Sequence, residues 1–221
     1  MPTFTGRPAV SGDDGYSTAP ATFDNNDDYT VVGQAGGAVS HSFFRVPSVN
    51  IAKGENIISA KLTFKAFNAQ TGTTTYFNIY MNDHDDAVAP TSFAELAALD
   101  LTTAFSAWDS EEVWVENSTY DSPGFADAVQ EVVDRPGWAS GNAMMVLVKD
   151  DGSDNNAIRA PDSQDLGETT AVLLTIEYGL VPTIISTVLT LFAPSVETYD
   201  TRFKLRARKR DTALTTRVRN E

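Results

Sequence analysis

The chain has 221 residues, 42% of them hydrophobic, no cysteine, and 30 Asp and Glu against 16 Lys and Arg, a formal net charge of −14 at pH 7. That is enough apolar material for one large domain with an extension, or two small domains, so disorder of the whole chain is excluded. The lack of cysteine removes disulfides, thiolate zinc sites and thiol nucleophiles, and an acidic body repels duplex nucleic acid, whose binding needs Lys and Arg to replace counterions.

From the start, Met1 to Val10 shows no basic stretch followed by an apolar run, so no signal peptide is expected. No run approaches the roughly 18 apolar residues that cross a bilayer, and no membrane partner is expected. Alternation of period 2 then dominates, the mark of strands with one buried face. The segments are His41 to Val46, Ser59 to Phe67, Thr74 to Met81, Val113 to Val115, Ala143 to Val148 and Ala171 to Tyr178. In the second of these, Ala60, Leu62, Phe64 and Ala66 share one face and Lys61 and Lys65 lie on the other, so a one-residue slip would bury two lysines. Turn-rich stretches such as Asn68 to Thr73 and Asp150 to Asn156 separate the strands. Two helices are expected among them. One runs from Ser92 to Leu99 and bridges two strands. The other starts at Ser122 as N-cap, with Pro123 in the first turn and Phe125, Val129, Val132 and Val133 on one face, and stops at Arg135-Pro136. The pattern predicts an all-β fold, an antiparallel β-sandwich or jelly roll over residues 1–179, with the helix after Ser122 across one end.

Residues 180–221 read as an extended C-terminal β arm. Residues 1–200 carry 28 Asp and Glu against 8 Lys and Arg, whereas the last 21 carry 8 Lys and Arg against Asp211 and Glu221. Phe203, Leu205 and Ala207 alternate with Lys204, Arg206 and Arg208, and Leu205, Arg208, Arg210 and Asp211 recur nine residues later as Leu214, Arg217, Arg219 and Asn220. Two unsupported strands are marginal in water, so the arm is expected to order against a partner, by adding to a neighbouring sheet edge. The expected partner-binding residues are Arg202, Phe203, Lys204, Leu205, Arg206, Arg208, Lys209, Arg210, Leu214, Arg217 and Arg219. The plainer alternatives are a solvated, solubilising tail and, less favoured, a nucleic-acid contact.

A resemblance rests on several of these stretches. The run from Val129 through Asp134-Arg135-Pro136-Gly137-Trp138-Ala139-Ser140-Gly141-Asn142 to Ala143 is followed by an apolar strand, an Asp/Gly/Ser loop and a final strand, Leu173 to Tyr178. With it come Asp13-Asp14-Gly15-Tyr16, the strand Ile58-Ser59-Ala60-Lys61-Leu62, and Trp108 with Trp114 before the helix. Over roughly residues 10–179 the chain resembles a jelly-roll domain of the carbohydrate-binding-module kind, found on bacterial surface proteins, beside polysaccharide-active enzymes and in virion proteins of tailed bacteriophages. The segment Val181 to Pro194 and the basic arm resemble strand extensions of phage structural proteins. The resemblance implies a virion component, a capsid decoration or cement protein on the head surface. Its partners would be the major capsid protein or other virion subunits, and it would be a homo-oligomer, a trimer by analogy with decoration proteins of this fold. The alternatives are a carbohydrate-binding module that captures polysaccharide, and a tail or fibre component.

No catalytic residue is nominated and no enzyme activity is expected. His41 and His84 have no metal-type spacing, and no Gly-x-Ser-x-Gly elbow or triad partner is visible. No cofactor is expected. Asp13-Asp14, Asp24 to Asp28 and Asp150 to Asn156 offer oxygen donors that could hold structural calcium, with no ligand set assigned, against the plainer reading of solvated turns. Candidate sugar-stacking residues are Trp108 and the pair Tyr76 and Tyr80, which share a strand face with Asn78. Trp114, Tyr120 and Trp138 are weighed beside them, with core packing favoured for the tryptophans and Tyr120.

Overall fold

A computed structural model describes residues 1–70, 74–110 and 113–179. The arm expected over 180–221, with its partner-binding residues Arg202 to Arg219, lies outside the described residues. Among the described residues twelve strands and two helices follow in order: β1 (Thr3–Gly6), β2 (Asp14–Thr18), β3 (Thr22–Asp24), β4 (Val32–Ala35), β5 (Ala38–Val46), β6 (Ile57–Lys65), β7 (Thr75–Met81), α1 (Phe93–Ala97), β8 (Ser106–Ser110), β9 (Thr119–Asp121), α2 (Ala126–Asp134), β10 (Met144–Asp150), β11 (Ala157–Arg159) and β12 (Leu173–Tyr178). The fold is all-β, with antiparallel sheets arranged as a sandwich. The smaller sheet has the order β1-β12-β6-β9. The larger runs β11-β4-β5-β10-β7-β8, with β2 added to β5 and β3 to β2.

The alternation in β6 sets its register as expected. Ala60, Leu62 and Phe64 are buried, while Lys61 pairs with Asp121 at 2.6 Å and Lys65 with the buried Asp162 at 3.2 Å. Leu62 lies opposite Leu174 and Ala60 opposite Ile176 of β12, so both strands turn their apolar residues to the same interior. Phe44 and Val46 of β5, Phe77, Ile79 and Met81 of β7, and Val146 and Val148 of β10 meet them from the larger sheet. Truncating a ring such as Phe64 in this interior should cost about 3 kcal/mol or more.

α2 packs against β6 and β7 through Ala128, Val129, Val132 and Val133. Its start differs from the expectation. The N-cap is Phe125, without a side-chain cap bond. Ser122 lies outside the helix because its hydroxyl is engaged in the sheet, accepting the Leu62 amide at 3.0 Å and donating to the Pro123 carbonyl at 2.8 Å. α1 is capped by Ser92, which accepts the Glu95 amide, and Glu95 in turn accepts the Thr91 amide and hydroxyl. Beyond α2 the Arg135-Pro136-Gly137-Trp138 run has a clear physical basis. Arg135 forms ion pairs with Asp83 and, at 2.8 Å, with Asp85. A Cβ on Gly137 would collide with the same Asp85 carboxylate, and the Trp138 indole N–H donates to the Ile51 carbonyl at 3.1 Å.

The strand expected at Val113 to Val115 is reduced to one bridge, Trp114 opposite Gln70. Trp114 is buried, and Val113 and Val115 on either side are exposed, so the alternation is real, and among the described residues only this one bridge belongs to it.

Candidate binding face

The aromatic candidates separate into two groups. Trp114 and Trp138 are 1% and 3% exposed, and both belong to the core. Tyr120 stacks on Trp114 with ring centroids 4.7 Å apart and an interplanar angle of 3°. Trp108, expected as a sugar platform, is the inward residue of β8. Its ring is half-buried and engaged by Phe64 at 5.4 Å, Phe77 at 5.7 Å and Trp114 at 6.2 Å. Those contacts turn the ring towards the core, and they follow from its register opposite Phe77, a core residue of β7.

Tyr76, Asn78 and Tyr80 alternate with the buried Thr75, Phe77 and Ile79, and so stand half-buried on the outer face of the larger sheet. Tyr80 stacks on Phe105, with centroids 5.1 Å apart, and Phe105 is 52% exposed. Register then assembles the rest of this face. One row runs Phe43, Leu147, Tyr80 across β5, β10 and β7, and the next runs Ser17, His41, Lys149, Asn78 across β2, β5, β10 and β7.

The apolar row does not remain open. Phe43, Ala87, Leu96, Met145 and Leu147 form a second buried cluster, with Phe23, Leu99 and Leu101 packed on it. α1 supplies Leu96 to this lid, so β10 is covered on both faces, and that is why it reads as the unbroken run Met144 to Val148. Sequence periodicity located the strand and the helix but had no signal for their contact.

The polar row has its own chemistry. The His41 Nδ1 accepts the backbone N–H of Asp150 at 3.0 Å, which assigns the ring proton to Nε2. Burial, and secondarily the charge of Lys149, hold the His41 pKa below its ordinary value, partly opposed by Asp150. Ser17 lies across the strand pair from His41. A triad needs Nε2 free to take the serine proton, and this tautomer places a proton there instead. With Nδ1 occupied in this way, the nitrogen that His41 has left to offer is a donor.

The Asp-rich loops are largely satisfied from within. Asp24 accepts the Asn26 and Asp27 amides, and Asp150 accepts those of Gly152 and Ser153. Asp13 accepts the Ala9 and Val10 amides and pairs with Arg45 at 2.6 Å. Asp14 differs. It is 1% exposed, one oxygen accepts the Gln164 amide at 2.9 Å, and the other, Oδ1, has no partner among the described residues. Burial above all, with Asp165 and Asp13 adding to it, pushes its pKa up to about 7. Among the described residues no three His, Asp or Glu side chains come together in a metal-holding group. Compared with known proteins, the chain matches no protein-family model and no curated protein.

Proposed function

We propose that this chain is a non-catalytic structural protein of a phage virion, a decoration protein that attaches to the head through residues 180–221. The observation that carries the reading is the division of charge: 28 acidic against 8 basic residues in positions 1–200, and 8 basic against two acidic in positions 201–221. The fold of the first part adds support. Among the described residues β12 lies between β1 and β6, so the last described strand is an inner strand of the smaller sheet. Exposed ion pairs contribute about 0.2 to 1 kcal/mol each, so attachment would draw on strand pairing and on several copies acting together.

The test is cosedimentation of the intact chain, and of a chain ending at Gly179, with assembled heads of the phage that carries it, across a salt series. The intact chain should pellet with heads and lose binding as salt rises, and the shortened chain should stay in the supernatant. Equal pelleting of both, or of neither, would refute attachment through the arm. The half-exposed Tyr80 and Phe105 pair favours a second reading, a glycan-binding module, because a stacked and partly open aromatic pair suits a pyranose face. Silence on a broad glycan array would count against it.

A further inference from the structure

Between α1 and the outer face of the larger sheet lies a cleft of about 160 Å³. Leu96, Leu99, Leu101 and Leu147 form its apolar wall, and Ser17, His41 and Lys149, cross-strand neighbours on β2, β5 and β10, form its polar end. The polar end carries an unanswered charge. In this acidic protein Arg45, Lys61, Lys65 and Arg135 each hold a carboxylate, and Arg7 and Lys53 donate to the Ala171 and Pro136 carbonyls. Lys149 is half-buried and makes no ion pair or hydrogen bond with any described residue. The nearest acid in sequence, Asp150, is turned onto the Gly152 and Ser153 amides. Beside Lys149, the His41 ring offers its Nε2–H, because its other nitrogen is occupied by the Asp150 amide. Across the strand, the buried Asn78 Oδ1 also lacks a partner among the described residues, but a neutral amide cannot balance an ammonium.

A half-buried lysine beside an apolar hole, with no described carboxylate on it, is a place where a carboxylate gains a charge-assisted hydrogen bond. The size of the hole limits that anion, since a cavity of roughly 150 Å³ takes benzene. Its walls limit it further. Sugar hydroxyls would meet leucine side chains and go unpaired, and inorganic phosphate would leave the apolar part empty. We propose that this cleft binds a small amphiphilic monocarboxylate of about the size of benzoate, its carboxylate on Lys149 and the His41 Nε2–H and its ring or short alkyl chain against the leucines. This goes beyond the attachment reading and does not depend on it.

The experiment is an NMR titration of the full-length chain with benzoate, with benzamide as the neutral isostere, with inorganic phosphate as the anion without a tail, and with glucuronate as the acidic sugar. Benzoate should shift the amides of Leu147 to Asp150 with a Kd in the millimolar range or tighter. Benzamide, phosphate and glucuronate should each bind at least about tenfold more weakly, the ratio expected when a charge-assisted contact or the apolar contact is missing. Lys149→Met, which keeps the stem and removes the charge, should lose a similar factor, and Leu99→Trp, which fills the hole, should abolish the shifts. No shift by benzoate, equal binding of benzoate and benzamide, or tighter binding of phosphate or glucuronate would overturn the proposal. The comparison among ligands is made on the unaltered chain and holds even if a variant does not fold.

Discussion

The buried carboxyl of Asp14 gives stability an unusual dependence on pH. An unfolded aspartate releases its proton near 3.8, whereas in the fold Asp14 retains it up to about pH 7, chiefly because it is buried. Between these values the folded state binds the extra proton, so the stabilisation is full below about pH 4 and is lost as pH rises through about 7. At about 1.4 kcal/mol per pH unit over a window of about three units, the upper limit is on the order of 4 kcal/mol. Asp14→Asn tests this directly. The amide oxygen can still accept the Gln164 N–H, and the charge that Asp13 and Asp165 oppose is gone. Urea unfolding of both proteins from pH 4 to 8 should show near-equal stability at the acid end and a variant more stable by about 2 to 4 kcal/mol at pH 8. The difference between the two curves isolates Asp14, because His41, whose depressed pKa makes stability fall towards acid, contributes equally to both. A difference that is flat with pH, or a variant less stable at pH 8, would refute the reasoning and point to an ionised Asp14 held by some other group.

Three further outcomes follow from packing and polar contacts. Ser122→Ala removes the acceptor of the buried Leu62 amide and should cost about 1 to 3 kcal/mol in urea unfolding, with faster exchange of that amide; unchanged exchange would show that the contact is not formed. Trp108→Ala should cost about 3 kcal/mol or more, because it empties a site between Phe64 and Trp114, whereas Phe105→Ala on the open face should cost under about 1 kcal/mol; the reverse order would contradict the assignment of inner and outer faces. Arg135→Gln removes the pairs with Asp83 and Asp85, at half-exposed positions, so a loss of about 1 kcal/mol is expected in calorimetry, shrinking at high salt.

Much of the fold is legible in the sequence wherever one strand face is buried and the other wet. Ser59 to Phe67 overlaps β6 from Ser59 to Lys65, two residues out at each end, because Lys61 and Lys65 mark the outer face. The helix over Phe125 to Val133 is equally visible, but its start is not, since a serine before a proline looks like a cap whether or not its hydroxyl is held by a distant amide. β1 was not anticipated: it is four residues long with one large apolar side chain, and it exists through pairing with β12 rather than through its own pattern. β8 has only five residues, and its Trp108 reads the same in sequence whether it faces in or out. Asp14 and the cleft beside Lys149 depend on residues far apart in the chain. Ser17, His41, Leu96 and Lys149 are neighbours only after β5 has paired with both β2 and β10. No local pattern encodes that meeting, although Leu96 and Leu99, spaced for a helix face with no strand of their own to cover, hint at it.

The place of β12 also has a mechanical consequence. It is hydrogen-bonded to β6 along one side and to β1 along the other, and it runs out of the sheet at Tyr178 and Gly179. A load applied to Gly179 along the strand axis would act in shear on two ladders at once. An edge strand such as β9 can be peeled away one bond at a time; β12 can slip only if both of its neighbours let go together.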